Sequence, residues 1–421
     1  MPPETTASPT VSGQVELAGR TVPLRSVRSS PERYSALFRQ ARAEEGHALC
    51  LCRSPGLRLV VRVRSGRYHL AVWPGEGHRH FVTCPFFRSG TASGRSEYAS
   101  GAITERPEGV SIRLSTPLEE HTSTKAAGGA HPGAAGRSRS RLGLLGMAHY
   151  LWEAGGLAAW GPEVGRRTWT RCHEQLQQAA DQVRVNGKDL GATLYVVPPF
   201  TPQRAEHNAE GLQAFLRRLR PSGKGRRRAT GLVVGEVKTT WPTAHGHGVR
   251  LAHLRQPLYA RSALMERARR SYPSALSQAG SAGRTVGLFA VQVSAKGYLV
   301  AVDMALMLAT AGYIPVDSAY ELRMADHLVR AGRSFVKPLR YDGQAAVLPD
   351  FTLVDTWPHT CVEVYGIQGN QAYDKRKQDK RDYYRRRQVP LIEWEVSEPL
   401  PRVEPLGPSA ARRARAAEPG R

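Results

Sequence analysis

The chain has 421 residues, of which 41% are hydrophobic, so it is long enough for several domains and apolar enough to bury cores. This composition excludes a protein that is disordered as a whole. Lys and Arg total 60 against 36 Asp and Glu, and the net charge of +24 favours a polyanionic partner, most commonly nucleic acid. The N-terminus has no signal-peptide pattern, and the longest apolar region is interrupted by charges, so we predict a cytoplasmic protein without a membrane span.

The N-terminal region is predicted to hold a helix and a β-hairpin. Apolar residues recur at helical spacing in residues 31–45. The runs LRLVVRVR (57–64) and YHLAVW (68–73), joined by SGR, predict two antiparallel strands.

The middle of the chain mixes helices and strands. LGLLGMAHYLWEAGG predicts a helix that ends at Gly155 and Gly156, and a second helix follows at 166–183, before the strand ATLYVVPPF. These elements are compatible with a winged-helix unit or with plain helical packing. Further on, GLVVGEV and VGLFAVQV predict strands in a mixed α/β region.

The C-terminal region is predicted to run helix, strand, strand, helix, strand. The helix SAYELRMADHLVRAG precedes the strands VLPDFTLVD and CVEVYG, a highly basic helix at 371–387 and the strand PLIEWEV.

These patterns predict an α+β multidomain protein. Its predicted parts are a flexible arm (1–30), a zinc-binding hairpin domain (31–120), a linker (121–141), a helical unit (142–200), a mixed middle region (201–316), an α/β C-terminal domain (317–398) and a basic disordered tail (399–421).

Two pairs of residues with metal-ligand chemistry flank the predicted hairpin. Cys50 and Cys52 precede it, His80 and Cys84 follow it, and antiparallel strands return the second pair to the first. Residues i and i+2 of a strand face one side, and residues i and i+4 of a helical turn share a face. Three thiolates and one imidazole make the closed tetrahedral set of a structural zinc site. The alternative is three buried free cysteines beside unrelated histidines.

The remaining cysteines and histidines are interpreted differently. His78 and His47 are weaker candidates for the fourth ligand than His80. Cys172 and Cys361 have no partner in the pattern and are predicted to be core residues. Five cysteines in a chain of this length exclude a disulfide framework.

Two acidic residues stand at the ends of apolar runs, Asp350 in LPDFTLVD and Glu363 in CVEVYG. With the surrounding ELRMADHLVRAG, YDKRKQDKRDYY and LIEW, these motifs resemble the core of PD-(D/E)XK nucleases. The resemblance implies a restriction-endonuclease-like fold and a Mg²⁺- or Mn²⁺-dependent DNA phosphodiesterase. It further implies Glu321 as the carboxylate of the first helix, Asp350 and Glu363 as metal ligands, and the carbonyl of Val364 as an additional ligand.

The lysine of the nuclease pattern, two residues after the second carboxylate, is replaced here by Tyr365. On the following helix, Tyr373, Lys377, Lys380 and Tyr384 share one face. In several branches of the superfamily the lysine has moved to this helix, so the resemblance implies Lys380, with Lys377 second. The alternative is a basic helix face that is merely solvated.

A second motif, GEVKTT, contains Glu236 and Lys238 in the usual Glu-x-Lys order. No Pro-Asp strand precedes it closely, and the nearest upstream aspartate is Asp189. We interpret it as a surface ion pair at a strand end.

From CLC through LPDF to YY, nearly the whole chain resembles a bacterial family known as domain of unknown function 1173. Its members are often met on plasmids and integrating conjugative elements, which implies an association with mobile elements.

The stretch RRLRPSGKGRRR is the most basic in the chain. As a loop it offers charges to backbone phosphates, although a solvated loop is an equal alternative. Its basic residues are Arg217, Arg218, Arg220, Lys224, Arg226, Arg227 and Arg228.

Two functions remain open from the sequence. One is a Mg²⁺-dependent DNA nuclease with a zinc-stapled N-terminal domain. The other is a non-catalytic DNA-binding or scaffold protein built on a degenerate nuclease fold.

Overall fold

The chain folds into two compact units. In a computed structural model, one unit comprises residues 1–93 with 105–108, and the other comprises residues 94–104 with 109–421. No helix within the described ranges is long and apolar enough to cross a membrane. The structure describes residues 13–64, 67–74, 76–80, 84, 86, 102–106, 108–121, 141–181, 183–220, 227–277, 283–339, 348–356, 358–366 and 371–404.

The first unit is built on a five-stranded antiparallel sheet with the strand order β2-β1-β3-β4-β5. The predicted helix and hairpin are both present in it. Its elements are β1 (Gln14–Leu17), β2 (Arg20–Pro23), α1 (Leu24–Ser29), a 3₁₀ turn (Pro31–Tyr34), α2 (Ser35–Glu44), β3 (Ala48–Cys50), β4 (Leu57–Arg64) and β5 (Arg67–Val72).

Part of the predicted flexible arm belongs to this sheet. Val15 and Leu17 alternate with polar residues along β1 and are fully buried, which ties the strand to the core. Ala18 and Gly19 have φ values of 48° and 70°, the left-handed conformation of a two-residue hairpin turn. The predicted arm is therefore too long, because residues 14–29 form β1, β2 and α1; residues 1–12 lie outside the described part.

The rest of the chain alternates strands and helices. The strands are β6 (Ile103–Arg106), β7 (Gly109–Ile112), β8 (Glu119–His121), β9 (Ala159–Trp160), β10 (Val183–Val185), β11 (Lys188–Asp189), β12 (Leu194–Val196), β13 (Arg227–Ala229), β14 (Gly231–Thr243), β15 (Gly246–Leu251), β16 (Leu258–Ala260), β17 (Arg284–Val293), β18 (Leu299–Ala309), β19 (Pro315–Val316), β20 (Phe335–Val336), β21 (Phe351–Leu353), β22 (Thr360–Tyr365) and β23 (Leu391–Glu395). The helices are α3 (Leu144–Ala154), α4 (Trp169–Ala180), α5 (Leu190–Thr193), α6 (Ala205–Leu219), α7 (Ser262–Ser271), α8 (Pro273–Ser277), α9 (Ala319–Arg330) and α10 (Gln371–Arg386).

The largest sheet of the second unit has seven strands and closes on itself. Its order is β12-β14-β15-β16-β18-β17, with β19 beside β18, and β17 also pairs with β14. The register shifts in β14 between Val237 and Thr239, and such bulges increase the bend that a closed arrangement needs. Smaller sheets have the orders β11-β10-β7-β6 and β13-β8.

A five-stranded sheet, β23-β22-β21-β20-β9, carries the acidic residues. β22 and β23 are parallel, and the other neighbours are antiparallel. The sequence analysis missed β20, because two residues are too few to show an alternating pattern. The C-terminal region is therefore helix, strand, strand, strand, helix, strand.

Two helices pack on opposite faces of this sheet. On one face, Leu322 and Leu328 of α9 share a core with Val362 of β22. On the other, Tyr384 of α10 donates a hydrogen bond to Glu363. Since neighbouring strand residues point to opposite faces, the sheet is covered on both sides.

The boundaries predicted at residues 200 and 316 fall inside one compact unit. β9, from the predicted helical unit, pairs with β20, and Phe215 and Phe335 belong to the same core. The predicted tail also begins later than residue 399, because Val403 is buried in that core.

Candidate metal centre and acidic site

Three cysteines and one histidine of the first unit form a buried cluster. Cys50 is the last residue of β3, and Cys52 follows two residues later. The possible ligand atoms of Cys50, Cys52, His80 and Cys84 all lie within 4.8 Å of one another. Cys50 Sγ is 3.5 Å from Cys84 Sγ, and His80 Nδ1 is 3.5 Å from Cys52 Sγ. This set could hold a metal ion.

The donor chemistry of the cluster matches a metal with nitrogen and sulfur ligands. Hydrogen bonding with Cys52, together with burial, raises the pKa of Cys50 to about 12. Hydrogen bonding with Cys50 and Cys52 likewise raises the pKa of Cys84. Raised pKa values favour the protonated thiols of Cys50 and Cys84 when no metal is bound, so a bound cation has to displace those protons. The 3.5 Å between the Cys50 and Cys84 sulfurs excludes a disulfide, which requires about 2.05 Å.

The other candidate ligands lie outside this cluster or outside the described residues. His47 Nδ1 is 2.7 Å from a backbone carbonyl two residues earlier, and the side chain of His78 is not among those described. His80 has an extended backbone, and residues 81–83 lie outside the described part, so a helical turn between His80 and Cys84 stays a prediction. Cys172 is fully buried, as expected of a core residue, whereas Cys361 is only half-buried.

Asp350, directly before β21, lies opposite Glu363 of the neighbouring strand β22. The register pairs Phe351 with Val362, which places Asp350 beside Glu363. Asp350 N donates to Val362 O over 3.1 Å, and Val364 N donates to Asp350 Oδ2 over 2.7 Å. The predicted strands are thus adjacent, although β21 is only three residues long.

Two side chains of α10 hold Glu363, which is only 1% exposed. Lys380 Nζ donates to Glu363 Oε2 over 2.7 Å, and Tyr384 OH donates to Glu363 Oε1 over 2.6 Å. Lys377 instead pairs with Glu395 and lies over the ring of Tyr365, 4.7 Å from its centroid. Of the two candidate lysines, only Lys380 contacts the acidic pair.

A lysine that was not predicted from the sequence forms a buried ion pair with Glu321 of α9. Lys337, just after β20, is 3% exposed. Its Nζ lies 2.6 Å from Glu321 Oε2 and 2.8 Å from Asp317 Oδ2. Asp317 is 71% exposed, so water screens that second ion pair. The sequence does contain a signal for this buried ion pair, namely a single lysine inside the apolar segment SFVKPL. A charged side chain that is buried among apolar residues requires a partner.

Burial and mutual repulsion raise the carboxyl pKa values of this site. Burial, opposed by Lys337 and assisted by neighbouring carboxylates, raises the pKa of Glu321 to about 7. Burial also raises the pKa of Asp350, against the charge of Lys337. It raises the pKa of Glu363 against the charge of Lys380. Because neighbouring carboxylates contribute to the raised pKa values of Glu321 and Asp350, a cation bound beside them would favour their ionised forms.

Replacing Lys337 by methionine should destabilise the second unit. The change leaves Glu321 as a buried carboxylate without its cation, and breaking a buried pair in this way costs about 3–5 kcal/mol of unfolding free energy. Urea unfolding of the full chain measures the loss.

The double variant Lys337→Met/Glu321→Gln is the matched control, since it removes both charges of the buried pair and the amide still accepts the Asp317 N–H. It should recover most of the lost stability. A double variant as unstable as the single one would contradict the role of the ion pair.

Glu236 is buried in the middle of β14, with 4% of its surface exposed. It accepts hydrogen bonds from Lys238 Nζ over 2.8 Å, Arg284 over 2.9 Å and Tyr313 OH over 2.7 Å. Burial opposes its ionisation, but these donors outweigh burial and lower the pKa of Glu236. The predicted ion pair between Glu236 and Lys238 is present, and the Lys238 side chain is exposed, but the predicted surface position at a strand end is wrong for the carboxylate. Glu236 is a buried, fully partnered charge within the closed sheet.

The basic stretch spans the end of one helix and the start of a strand. Arg217 and Arg218 lie in the last turn of α6, and Arg220 follows it. Arg228 lies on β13, and these four side chains are exposed. The side chains outside the described part are those of Lys224, Arg226 and Arg227.

A family model with the description "Protein of unknown function (DUF1173)" matches residues 21–397. No curated protein and no solved structure matches the chain. The matched residues include both the cysteine–histidine cluster and the acidic site.

Proposed function

The chain belongs to the DUF1173 family of proteins of unknown function, and we propose that it is a Mg²⁺-dependent DNA phosphodiesterase. The membership agrees with the resemblance drawn from the sequence. The activity is our inference from the acidic site, in which two carboxylates and one lysine meet at neighbouring strands and one helix.

The residues at this site fit a hard cation. Asp350 and Glu363 supply carboxylate oxygens, the ligands that Mg²⁺ and Mn²⁺ accept. Asp350 Oδ1 has no hydrogen-bond donor among the described residues. The N–H and C=O of a strand residue project to the same side, so the carbonyl of Val364 faces Asp350 as its N–H does. When bound, Mg²⁺ polarises a phosphoryl oxygen and lowers the pKa of the attacking water.

The observation that carries the proposal is the position of Lys380. Its ammonium is held by Glu363 Oε2 and, over 3.2 Å, by the carbonyl oxygen of Leu348. The side chain is 30% exposed, so a phosphate can reach it from solvent. A fixed cation at this point offsets the charge that develops on the phosphoryl group. Lys380 therefore supplies the positive charge of the nuclease lysine, whose usual position in the sequence is occupied here by Tyr365.

Lys380→Ala should slow Mg²⁺-dependent cleavage of DNA about a hundredfold or more, because it removes a positioned transition-state charge. Cleavage of labelled single- and double-stranded DNA at saturating Mg²⁺ measures the effect on kcat. The matched control is Lys375→Ala, which removes an exposed lysine from the same helix. If both variants cleave alike, Lys380 does not act in the reaction.

A non-catalytic DNA-binding or scaffold role is the second candidate. Two ion pairs favour this candidate, because Lys337 and Lys380 already neutralise Glu321 and Glu363, which reduces the need of these carboxylates for a metal ion. Such a protein should bind DNA in a salt-sensitive manner and show no cleavage with Mg²⁺ or Mn²⁺.

For the cluster of Cys50, Cys52, His80 and Cys84 we propose structural zinc. Four protein ligands complete a tetrahedral site and leave no position for water or substrate. The cluster lies where β3 ends and the chain leaves the sheet, so an ion there links the segment after the hairpin to the sheet.

A further inference from the structure

The second unit contains a cleft of about 610 Å³ that is distinct from the acidic site. It opens between α7, the ends of β17 and β18, and β13. Three arginines line it, Arg228, Arg261 and Arg267, together with two polar residues, Gln292 and Ser294. We refer to it as the arginine cleft.

The arginine cleft has an excess of positive charge. None of the described residues that line it is acidic. The side chains of Arg228 and Arg261 are exposed and make no hydrogen bond or ion pair with the side chains that the structure describes. Arg267 is held by Asp303, whose other oxygen accepts a hydrogen bond from Thr116 over 2.9 Å. This anchoring orients Arg267 while most of its five N–H donors remain available.

The remaining lining of the cleft is aliphatic. Val302 lines the cleft and is 39% exposed. Tyr298 is 49% exposed in the turn between β17 and β18, and its N–H donates to the hydroxyl of Ser294 in the cleft. Guanidinium groups therefore stand next to apolar surface, and the exposed ring of Tyr298, which packs edge-on against Tyr259, lies in the turn that leads into β18.

We propose that the arginine cleft binds a nucleotide unit of single-stranded nucleic acid. Guanidinium groups pair with phosphate through parallel N–H donors, and an apolar surface with an aromatic ring accepts the face of an unpaired base. The volume lies within the range of about 300–1,000 Å³ typical of sites for small ligands. A duplex hides its base faces, so the apolar part of the cleft favours a single strand. A free nucleotide offers the same chemistry.

This inference goes beyond cleavage, since it needs only a strand with phosphates and exposed bases. It is tested by binding in the presence of EDTA, where no metal-dependent reaction occurs. Failure of the binding test leaves the cleavage assay with Lys380→Ala unaffected, and failure of the cleavage assay leaves the binding test unaffected.

The test is the affinity of a labelled single-stranded oligonucleotide, measured by fluorescence anisotropy at several salt concentrations. Arg228→Gln/Arg261→Gln should weaken binding at least tenfold and reduce the slope of log K against log salt by about 1.4, since each phosphate contact with a single strand contributes about 0.7. Tyr298→Ala should weaken binding about fivefold or more without changing that slope, because stacking releases no counterions.

Arg270→Gln and Arg269→Gln are the matched controls, since both remove a charge from α7 outside the cleft. The double variant of these two should keep the wild-type affinity within about twofold. If it weakens binding as much as the cleft variants do, a diffuse basic surface explains binding and the proposal is wrong. The same holds if the cleft variants bind like wild type. Deoxyadenosine monophosphate competing in the micromolar range would identify a free nucleotide as the ligand, and competition by oligonucleotide alone would identify a strand.

Discussion

Asp350→Asn is expected to abolish Mg²⁺-dependent DNA cleavage while leaving the fold and DNA binding intact. The amide removes the charge that a cation needs, and the loss of a metal's contribution is several kcal/mol, about a thousandfold in rate or more. The amide oxygen can still accept the Val364 N–H that Asp350 Oδ2 accepts in the native chain. The hydrogen bond between residues 350 and 364 is thus preserved, so a loss of activity would result from the loss of the metal ion and not from a change in the fold.

Cleavage by wild type and by Asp350→Asn is compared in Mg²⁺ and in Mn²⁺, with Asp382→Asn on the exposed face of α10 as the matched control. Equal cleavage by wild type and Asp350→Asn would reject the acidic site. Glu236 and Lys238 would then be examined first, by Glu236→Gln. Absence of cleavage by every protein, with salt-sensitive binding retained, would favour the non-catalytic alternative.

Cys84→Ser is expected to remove the zinc and unfold much of the first unit. Wild-type protein should contain one zinc per chain, measured by atomic emission, and the variant should contain almost none. Binding of structural zinc contributes about 10–16 kcal/mol in small zinc domains near neutral pH, so this unit should lose much of its stability. Limited proteolysis should then cut the variant within residues 13–86 before it cuts the second unit.

Cys361→Ala is the matched control, because it removes a half-buried thiol outside the cluster. It should keep both the zinc and the resistance to protease. Acid should also release the zinc, since ligation requires deprotonated thiols whose pKa values in the free cluster are raised. A Cys84→Ser protein that keeps a full equivalent of zinc would show that another set of ligands binds the metal.

Local patterns predicted much of the first unit correctly, because the residues of the cysteine–histidine cluster are separated along the chain by little more than one hairpin. A hairpin returns to its starting point whatever surrounds it, so Cys50 and Cys52 had to meet the segment that contains His80 and Cys84. The segment before the hairpin was misjudged as an arm. Its strands β1 and β2 have few apolar residues, and their place in the sheet depends on pairing with β3.

At the acidic site, the sequence by itself determined the types of the elements and the positions of Asp350 and Glu363. An apolar run predicts a buried strand, and two such strands close together along the chain tend to pair. Only the tertiary structure decided between Lys377 and Lys380. Both lie on one helix face, so periodicity cannot separate them. The orientation of α10 against β22 places Lys380 at Glu363 and Lys377 over the ring of Tyr365. The same holds for the burial of Lys337 and Glu236 and for their partners Glu321, Arg284 and Tyr313, which lie 16 to 77 residues away along the chain. Electrostatic partners are chosen by distances in space, and local sequence patterns contain none of that information.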